Sequence, residues 1–218
     1  FMVSHIGWKA TVAVLINAAG ALLLFRKEIS GLPTVNTSLS NAVPMSVVWV
    51  HVVFLALIVL FSHHVPVFIG LLLFFMGYAT AYQRYQNPLI LREALMVAFF
   101  LGGLVVLGGM QQWWLQRALS GMDVNTVYIG ATLPTAITDN AALTYLGSLV
   151  EGLSQDFKIA LVMGAVTGGG LTVIANAPNP AGMSILRSKF DDGAVHPMGL
   201  LLAAIPPTLI AVIAFRLL

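Results

Sequence analysis

Asp139 is the residue of this sequence best placed to do chemistry. It is the only carboxylate in the apolar stretch Val124–Val150, and it stands between Thr138 and Asn140. An ionised carboxylate inside a lipid-spanning segment is costly, so such a group usually faces a cavity and binds something. Desolvation disfavours its charged form, whereas a bound cation favours it. One carboxylate can therefore hold a proton or a metal cation in competition, which is the minimal physics of cation/proton exchange. A structural role competes with this one: Asp139 also suits the cap of a helix starting just after it. Oxygen donors surround it at Thr135, Thr138, Asn140, Thr144 and Ser148. A small hard cation such as sodium takes oxygen ligands. The same hydroxyls can instead bond back to their own helix.

A second polar interruption follows in Gly168-Gly169-Gly170-Leu171-Thr172-Val173-Ile174-Ala175-Asn176-Ala177-Pro178-Asn179-Pro180. Glycines allow close backbone approach, while prolines remove donors and break helices. Phe157–Gly170 reads as a helix. Asn179 can cap a new one, with Pro180 at its first position and Ala181–Phe190 as its body. The negative end of the first half-helix and the positive end of the second then both point inward. Discontinuous helices of this kind form midplane sites in transporters. A packing helix merely kinked by proline would need one proline, not Asn-Ala-Pro-Asn-Pro.

The elements that must position these residues are apolar runs. Trp8–Phe25, Val43–Phe61, Val65–Tyr82, Ala94–Met110 and Pro197–Phe215 each approach the roughly 20 residues that cross a bilayer as a helix. Backbone groups in lipid must bond internally, so all are expected to be α-helical. Ser30–Asn41 reads as a loop. Gln111, Gln112, Trp113 and Trp114 extend the fourth run to the interface. Val124–Val150 is too short for two crossings and too interrupted for one, which fits a re-entrant helical hairpin. The expected fold is thus all-α and integral to the membrane, with about five spanning helices, the hairpin at 124–150 and the discontinuous helix at 157–190. Residues 1–122 form a scaffold, 123–190 the transport elements and 191–218 the final helix. Arg26, Lys27, Arg84, Arg92, Arg187 and Lys189 fall on one side of this topology, and Lys9, Arg117, Lys158 and Arg216 on the other. The bias marks the first side as cytoplasmic.

Composition supports that solvent assignment. Of 218 residues, 59% are hydrophobic and 8% charged, against about a quarter charged in soluble domains. Mean hydropathy is +0.93. There is no cysteine, which excludes disulfides and thiolate metal sites. No basic block suggests nucleic acid. There is no phosphate-cradling loop, nucleophile elbow or His-Glu-x-x-His, so nothing points to an enzyme. Gly164-x-x-x-Gly168 matches the close-packing pattern of membrane helices. His51 sits mid-helix, where it suits a hydrogen-bonded place in the bundle or a proton relay. The adjacent pair His63-His64 points two ways and makes no metal site.

Two motifs together resemble one inverted-repeat half of the ion transporter superfamily. They are Thr138-Asp139-Asn140-Ala141-Ala142-Leu143-Thr144 and the run from Gly168 through Pro180, Ala181 and Gly182. Asp-Asn followed by Leu-Thr is most similar to the sodium/proton antiporter branch. The resemblance implies a hairpin and a broken helix from each of two repeats, meeting at a midplane site. It implies a cation site at Thr138, Asp139, Asn140 and the Thr172–Asn179 break, to which the oxygen donors Thr135 and Thr144 add, so that the candidate set is Asp139, Asn140, Thr138, Thr135, Thr144, Thr172, Asn176 and Asn179, with Asp139 as the sodium ligand. It implies no cofactor beyond sodium as transported or coupling ion, a homodimer, and a bacterial inner membrane. The Ser-Asn-Thr type of motif of dicarboxylate symporters is absent, which turns the expectation away from organic anions. One repeat is visible, and the chain begins at Phe1, so an N-terminal half or a second chain is expected to complete the site.

Three functions follow: sodium/proton antiport at Asp139; transport of a small anion such as arsenite or a carboxylate, served by the N-terminus of the Ala181 helix; or a non-transporting membrane subunit. The last would show Asp139 in a salt bridge with no cavity.

Overall fold

In a computed structural model, residues 3–31, 43–86, 88–176, 178–190 and 193–218 are described. Residues 32–41 of the expected Ser30–Asn41 loop, and Ala177 of the broken helix, lie outside them. Every regular element among the described residues is helical. The helices are α1 (Trp8–Leu24), α2 (Arg26–Ser30), α3 (Met45–Leu60), α4 (Val65–Ala81), α5 (Leu91–Gly109), α6 (Gln112–Ser120), α7 (Val124–Thr135), α8 (Asn140–Ser148), α9 (Gln155–Gly168), α10 (Pro178–Leu186) and α11 (Pro197–Leu217). The chain forms two compact units, residues 32–91 and residues 1–31 with 92–218.

Among the described residues, two helices are long and apolar enough to cross a membrane. One is Val3–Leu24, in which a π-helical turn at Val3–Gly7 leads into α1; the other is Pro197–Leu217. Ala94–Gly109 and Gln112–Ser120 together make a third candidate span, bent by 77°. The apolar helices α3 and α4 have 16 and 17 residues. Large apolar side chains lie bare on these helices, with Leu24, Phe74 and Phe99 each at least 70% exposed. That surface is suited to hydrocarbon. The bend before α6 departs from a straight extension through Trp113. Gln112, Gln116 and Ser120 recur every fourth residue while Leu115 is buried, so α6 has one wet and one apolar face and turns away from the apolar axis.

The helix starts that matter for the site are capped by short polar side chains. Asp123 accepts from the Thr126 N–H at 2.7 Å to start α7, and Ser154 accepts from the Phe157 N–H at 3.2 Å to start α9. In the larger unit, α7 and α9 lie side by side. Val127, Tyr128 and Ala131 pack with Phe157, Ala160, Leu161 and Met163, and Ile6 and Phe215 close the cluster. Gly164 and Gly168 make this contact possible. A Cβ at Gly164 would collide with the Tyr128 carbonyl, and one at Gly168 with the Thr132 carbonyl. The four-residue spacing on α9 thus matches the four-residue spacing of two carbonyls on α7. Tyr128 and Thr167 add a buried hydroxyl pair at 2.9 Å. Thr167 donates onward to Met163 O, so Tyr128 is the donor in that pair.

The ends of four helices meet. Lys9 Nζ donates to Phe215 O at 3.5 Å, Arg216 bonds Asn125 Oδ1 and lies 5.2 Å over the Tyr128 ring, and Gln155 Nε2 is 3.4 Å from His5 Nε2. The starts of α1, α7 and α9 and the finish of α11 therefore share one charged end.

Gly164→Val is expected to force α7 and α9 apart and cost about 1–3 kcal/mol. Gly130→Ala on α7, where nothing lies within 4 Å of the new Cβ, should not destabilise the fold, alanine being the better helix former by about 1 kcal/mol. Thermal melting of the two purified variants measures the difference. At Asp123 the Thr126 backbone and hydroxyl bonds hold the carboxyl below its ordinary value of 3.8. A depressed carboxylate stabilises the fold above its unfolded value and ceases to do so as pH falls through the folded one. Asp123→Asn should therefore melt below the parent near neutral pH and converge with it in acid below that value.

Candidate functional site

α7 and α9 leave the charged end together and have 12 and 14 residues, rises of about 18 and 21 Å. They stop at nearly the same level, so the turn after α7 and the interruption after α9 come together. Pro134 sits in the last turn of α7. The chain then turns through 136–138 and restarts at Asn140. Asp139 is the cap of α8: its backbone is extended, and its Oδ1 accepts from the Ala141 N–H at 2.7 Å.

On the other side, α9 ends at Gly168 and a single 3-10 turn covers Val173–Ala175 before α10. The new helix starts at Pro178, not at Ala181, and ends at Leu186, with a 3-10 turn over Arg187–Lys189. Asn179 is consequently not its cap but lies in its first turn. Its Nδ2 donates to two carbonyls, Gly169 O and Thr172 O, each at 2.9 Å. These carbonyls belong to the frayed end of the preceding helix, and an unbonded buried carbonyl is costly. Pro178 supplies a preset φ and no N–H at the first helical position, so the helix can start without a local side-chain cap there.

One bond ties the two interruptions to each other. Thr172 Oγ1 donates to Ala136 O at 2.7 Å. Asn140 also reaches across: a Cβ on Gly169 would stand 3.1 Å from Asn140 Nδ2. Gly169 is therefore a position where the Asn140 amide needs the missing side chain.

The side chains proposed from the sequence separate into groups. Thr138, Asp139 and Asn176 line one cavity of about 560 Å³. Thr172 and Asn179 clasp the interruptions, and Asn140 sits against Gly169. Thr135 is fully buried and donates to Ala131 O at 2.7 Å. Thr144 donates to Asn140 O at 2.9 Å and Ser148 to Tyr145 O at 2.6 Å. Thr138 donates to Pro134 O at 3.0 Å. These hydroxyl protons all go to carbonyls of the same helix or the turn that follows it, leaving only oxygen lone pairs for anything else.

The rest of the cavity wall is apolar. Met96, Val97, Phe100 and Leu104 of α5 face Ile137, Ala142, Ile174 and Pro180. Nothing in the types of the α5 residues distinguishes them from lipid-facing neighbours. Asp139 is 7% exposed, makes its one hydrogen bond through Oδ1, and forms no ion pair among the described residues. No fully buried side-chain oxygen there lacks a partner. Oδ2 is therefore not sealed in protein, and Asp139 is among the residues that line the cavity.

The sequence model of the family described as "Putative Na+/H+ antiporter" matches residues 1–218. No curated protein and no solved structure matches the chain.

Asn179→Ala is expected to remove the side-chain donor from the Gly169 carbonyl and leave the Thr172 carbonyl with only the Ala175 N–H at 3.4 Å, at a cost of about 1–3 kcal/mol. Asn179→Asp should cost at least as much, because it sets carboxylate oxygen against the same two carbonyls. Melting temperatures of the purified variants report both.

Proposed function

The chain belongs to the family described as "Putative Na+/H+ antiporter", and from that premise we propose that it is a secondary transporter exchanging sodium for protons at Asp139. The observation that carries the proposal is the division of labour within this carboxylate. Oδ1 is held by the Ala141 N–H, while Oδ2 carries no such bond among the described residues and Asp139 lines the cavity. Oδ2 takes a proton or a sodium ion but not both. Binding one displaces the other, so occupancy follows the two gradients. Thr138 and Asn176 supply further oxygens on the same wall.

In this scheme α7 and α8 form a hairpin that enters and leaves by one face, and α9 and α10 are the halves of one discontinuous helix. Several features support the arrangement. With the charged end set at one boundary of a hydrocarbon core about 30 Å thick, a rise of about 18–21 Å along α7 and α9 ends inside that core, about 9–12 Å short of the other boundary. Irregular backbone at such depth survives where protein or a water-filled cavity covers it, and here the Asn179 and Thr172 bonds and the cavity do so. Residues 123–190 move as the transport element against the other helices, alternating access to Oδ2. The remaining wall of the site belongs to a second repeat or a second chain.

The two rival readings lose support at specific atoms. Anion binding would use free N–H groups at the start of α10. Pro178 and Pro180 have none, and the Asn179 N–H already donates to Asn176 O at 2.9 Å. A purely structural subunit calls for an ion-paired Asp139 without a cavity, the reverse of what surrounds this side chain.

Asp139→Asn in the full-length protein reconstituted in liposomes should lower sodium-driven proton flux by at least about 100-fold, the loss expected when the proton-carrying group itself is removed. Fluorescence-monitored exchange against sodium, lithium, potassium and a panel of anions measures it. Flux within about twofold of the parent, or flux driven by arsenite or carboxylate instead, would reject the assignment.

A further inference from the structure

The compact unit formed by residues 32–91 contains a histidine whose two hydrogen bonds cannot both be made by a neutral ring. His51 lies midway along α3. Its Nδ1 is 2.8 Å from the Val47 carbonyl oxygen, and its Nε2 is 3.1 Å from Gln86 Oε1. A carbonyl oxygen accepts and never donates, so Nδ1 must carry hydrogen. The amide oxygen imposes the same demand on Nε2. Exchanging the oxygen and nitrogen of the Gln86 amide would relieve that demand, as such assignments rest on the surrounding network. A third bond opposes the exchange: Gln86 Nε2 donates to the Ala79 carbonyl at 2.8 Å. Turning the amide over would set Oε1 against that carbonyl, oxygen to oxygen. A neutral imidazole has one N–H and satisfies one of the two acceptors; the imidazolium satisfies both.

We propose that His51 is a proton-binding site, its second proton tying α3 through Gln86 to the end of α4. Removing that proton must open either the Val47 bond or the Gln86 bond, so proton occupancy decides whether the clasp between α3 and the 83–86 turn is closed. The ring is otherwise hemmed in edge-on by Phe75 and Tyr78, with centroids 5.3 and 5.8 Å away. Gln86 also forms part of the wall of a cavity of about 600 Å³ with Ala79, Thr80, Gln83 and Pro88, which gives water a way to the Gln86 side of the ring.

The titratable and charged groups on the elements packed against His51 are few. On α4 and at its C-cap they are Tyr78 and Tyr82, stacked at 4.6 Å; in the following turn they are Tyr85 and Arg84, whose guanidinium lies 4.4 Å over the Tyr85 ring. His63 and His64 stand between α3 and α4. Residues 43–91 include no Asp or Glu. The imidazolium is thus held by neutral oxygen acceptors rather than by an ion pair, and its protonation is not tied to a partner carboxylate. The site is distinct from Asp139, which belongs to the other compact unit, and its test does not depend on flux.

Nitrogen-15 NMR of the full-length protein in lipid nanodiscs tests it, with His5, His63, His64, His196 and any histidine outside residues 1–218 replaced by Gln so that His51 is the lone histidine. Where the ring makes both bonds, both of its nitrogens should carry a proton. On raising the pH one should lose its proton, with the Gln86 side-chain amide signals moving in step. Gln86→Leu should shift that loss to lower pH. If that variant does not fold, subtracting the spectrum of His51→Gln from that of the parent isolates the same signals. A ring with one bare nitrogen while the Gln86 amide stays bonded to it, or a titration that Gln86→Leu leaves unmoved, overturns the proposal.

Discussion

Interrupting a helix inside an apolar bundle strands backbone carbonyls and amides that have no water to turn to, and each left unpaired costs about 1–3 kcal/mol. This chain interrupts two helices at one level, after Thr135 and after Gly168, so the demand is doubled and concentrated. The solution is a small exchange of donors. Asn179 covers Gly169 and Thr172, Thr172 covers Ala136, and Asp139 receives the Ala141 amide. Each of these polar side chains is thereby committed, at least in part, to holding the interruption together. The cavity beside them exists because the two helix ends are pinned at a distance rather than allowed to collapse.

What brings the ends to one level is the α7–α9 contact. Bare glycine on α9 at 164 and 168 meets carbonyls of α7 at 128 and 132, so the register of one helix against the other is set in steps of one turn. A slip by one residue would drive a side chain into a carbonyl. The lengths of the two helices then determine that Ala136 and Thr172 meet. Packing along the second half of α9 thus positions a polar site that begins only four residues beyond it, and no residue of the contact itself needs chemistry.

Much of this was legible in the sequence. The apolar runs Val65–Tyr82 and Pro197–Phe215 end within one or two residues of α4 and α11, because Pro66 and Pro197 mark starts that any fold must respect. The Gly-rich, Pro-rich run announced an interruption, and Asp139 stood out as a lone acid. What was not legible depended on partners far away in sequence. An asparagine ahead of a proline suits a helix cap, but Asn179 serves carbonyls seven and ten residues back, and local spacing cannot decide between those uses. The sharp bend before α6 lies in the recurrence of Gln112, Gln116 and Ser120, a faint signal beside the tryptophans. The α5 wall of the cavity carries only Met, Val, Phe and Leu, which lipid and cavity accept equally.

The commitment of Oδ1 bears on how a cation would be held. If the α8 cap persists during turnover, Asp139 offers one oxygen, not two, and a bidentate carboxylate site is closed to it. A single carboxylate oxygen with the oxygens of Thr138 and Asn176 is a sparse shell for a sodium ion, so water or a further protein surface must supply the remainder. If instead the Ala141 amide lets go as the ion arrives, the first turn of α8 loses its cap, typically worth about 1 kcal/mol, and ion binding is coupled directly to loosening of the hairpin. The second course makes the cap part of the transport cycle. It gives a physical reason for a carboxylate, with two equivalent oxygens, to stand where an asparagine would cap a helix equally well.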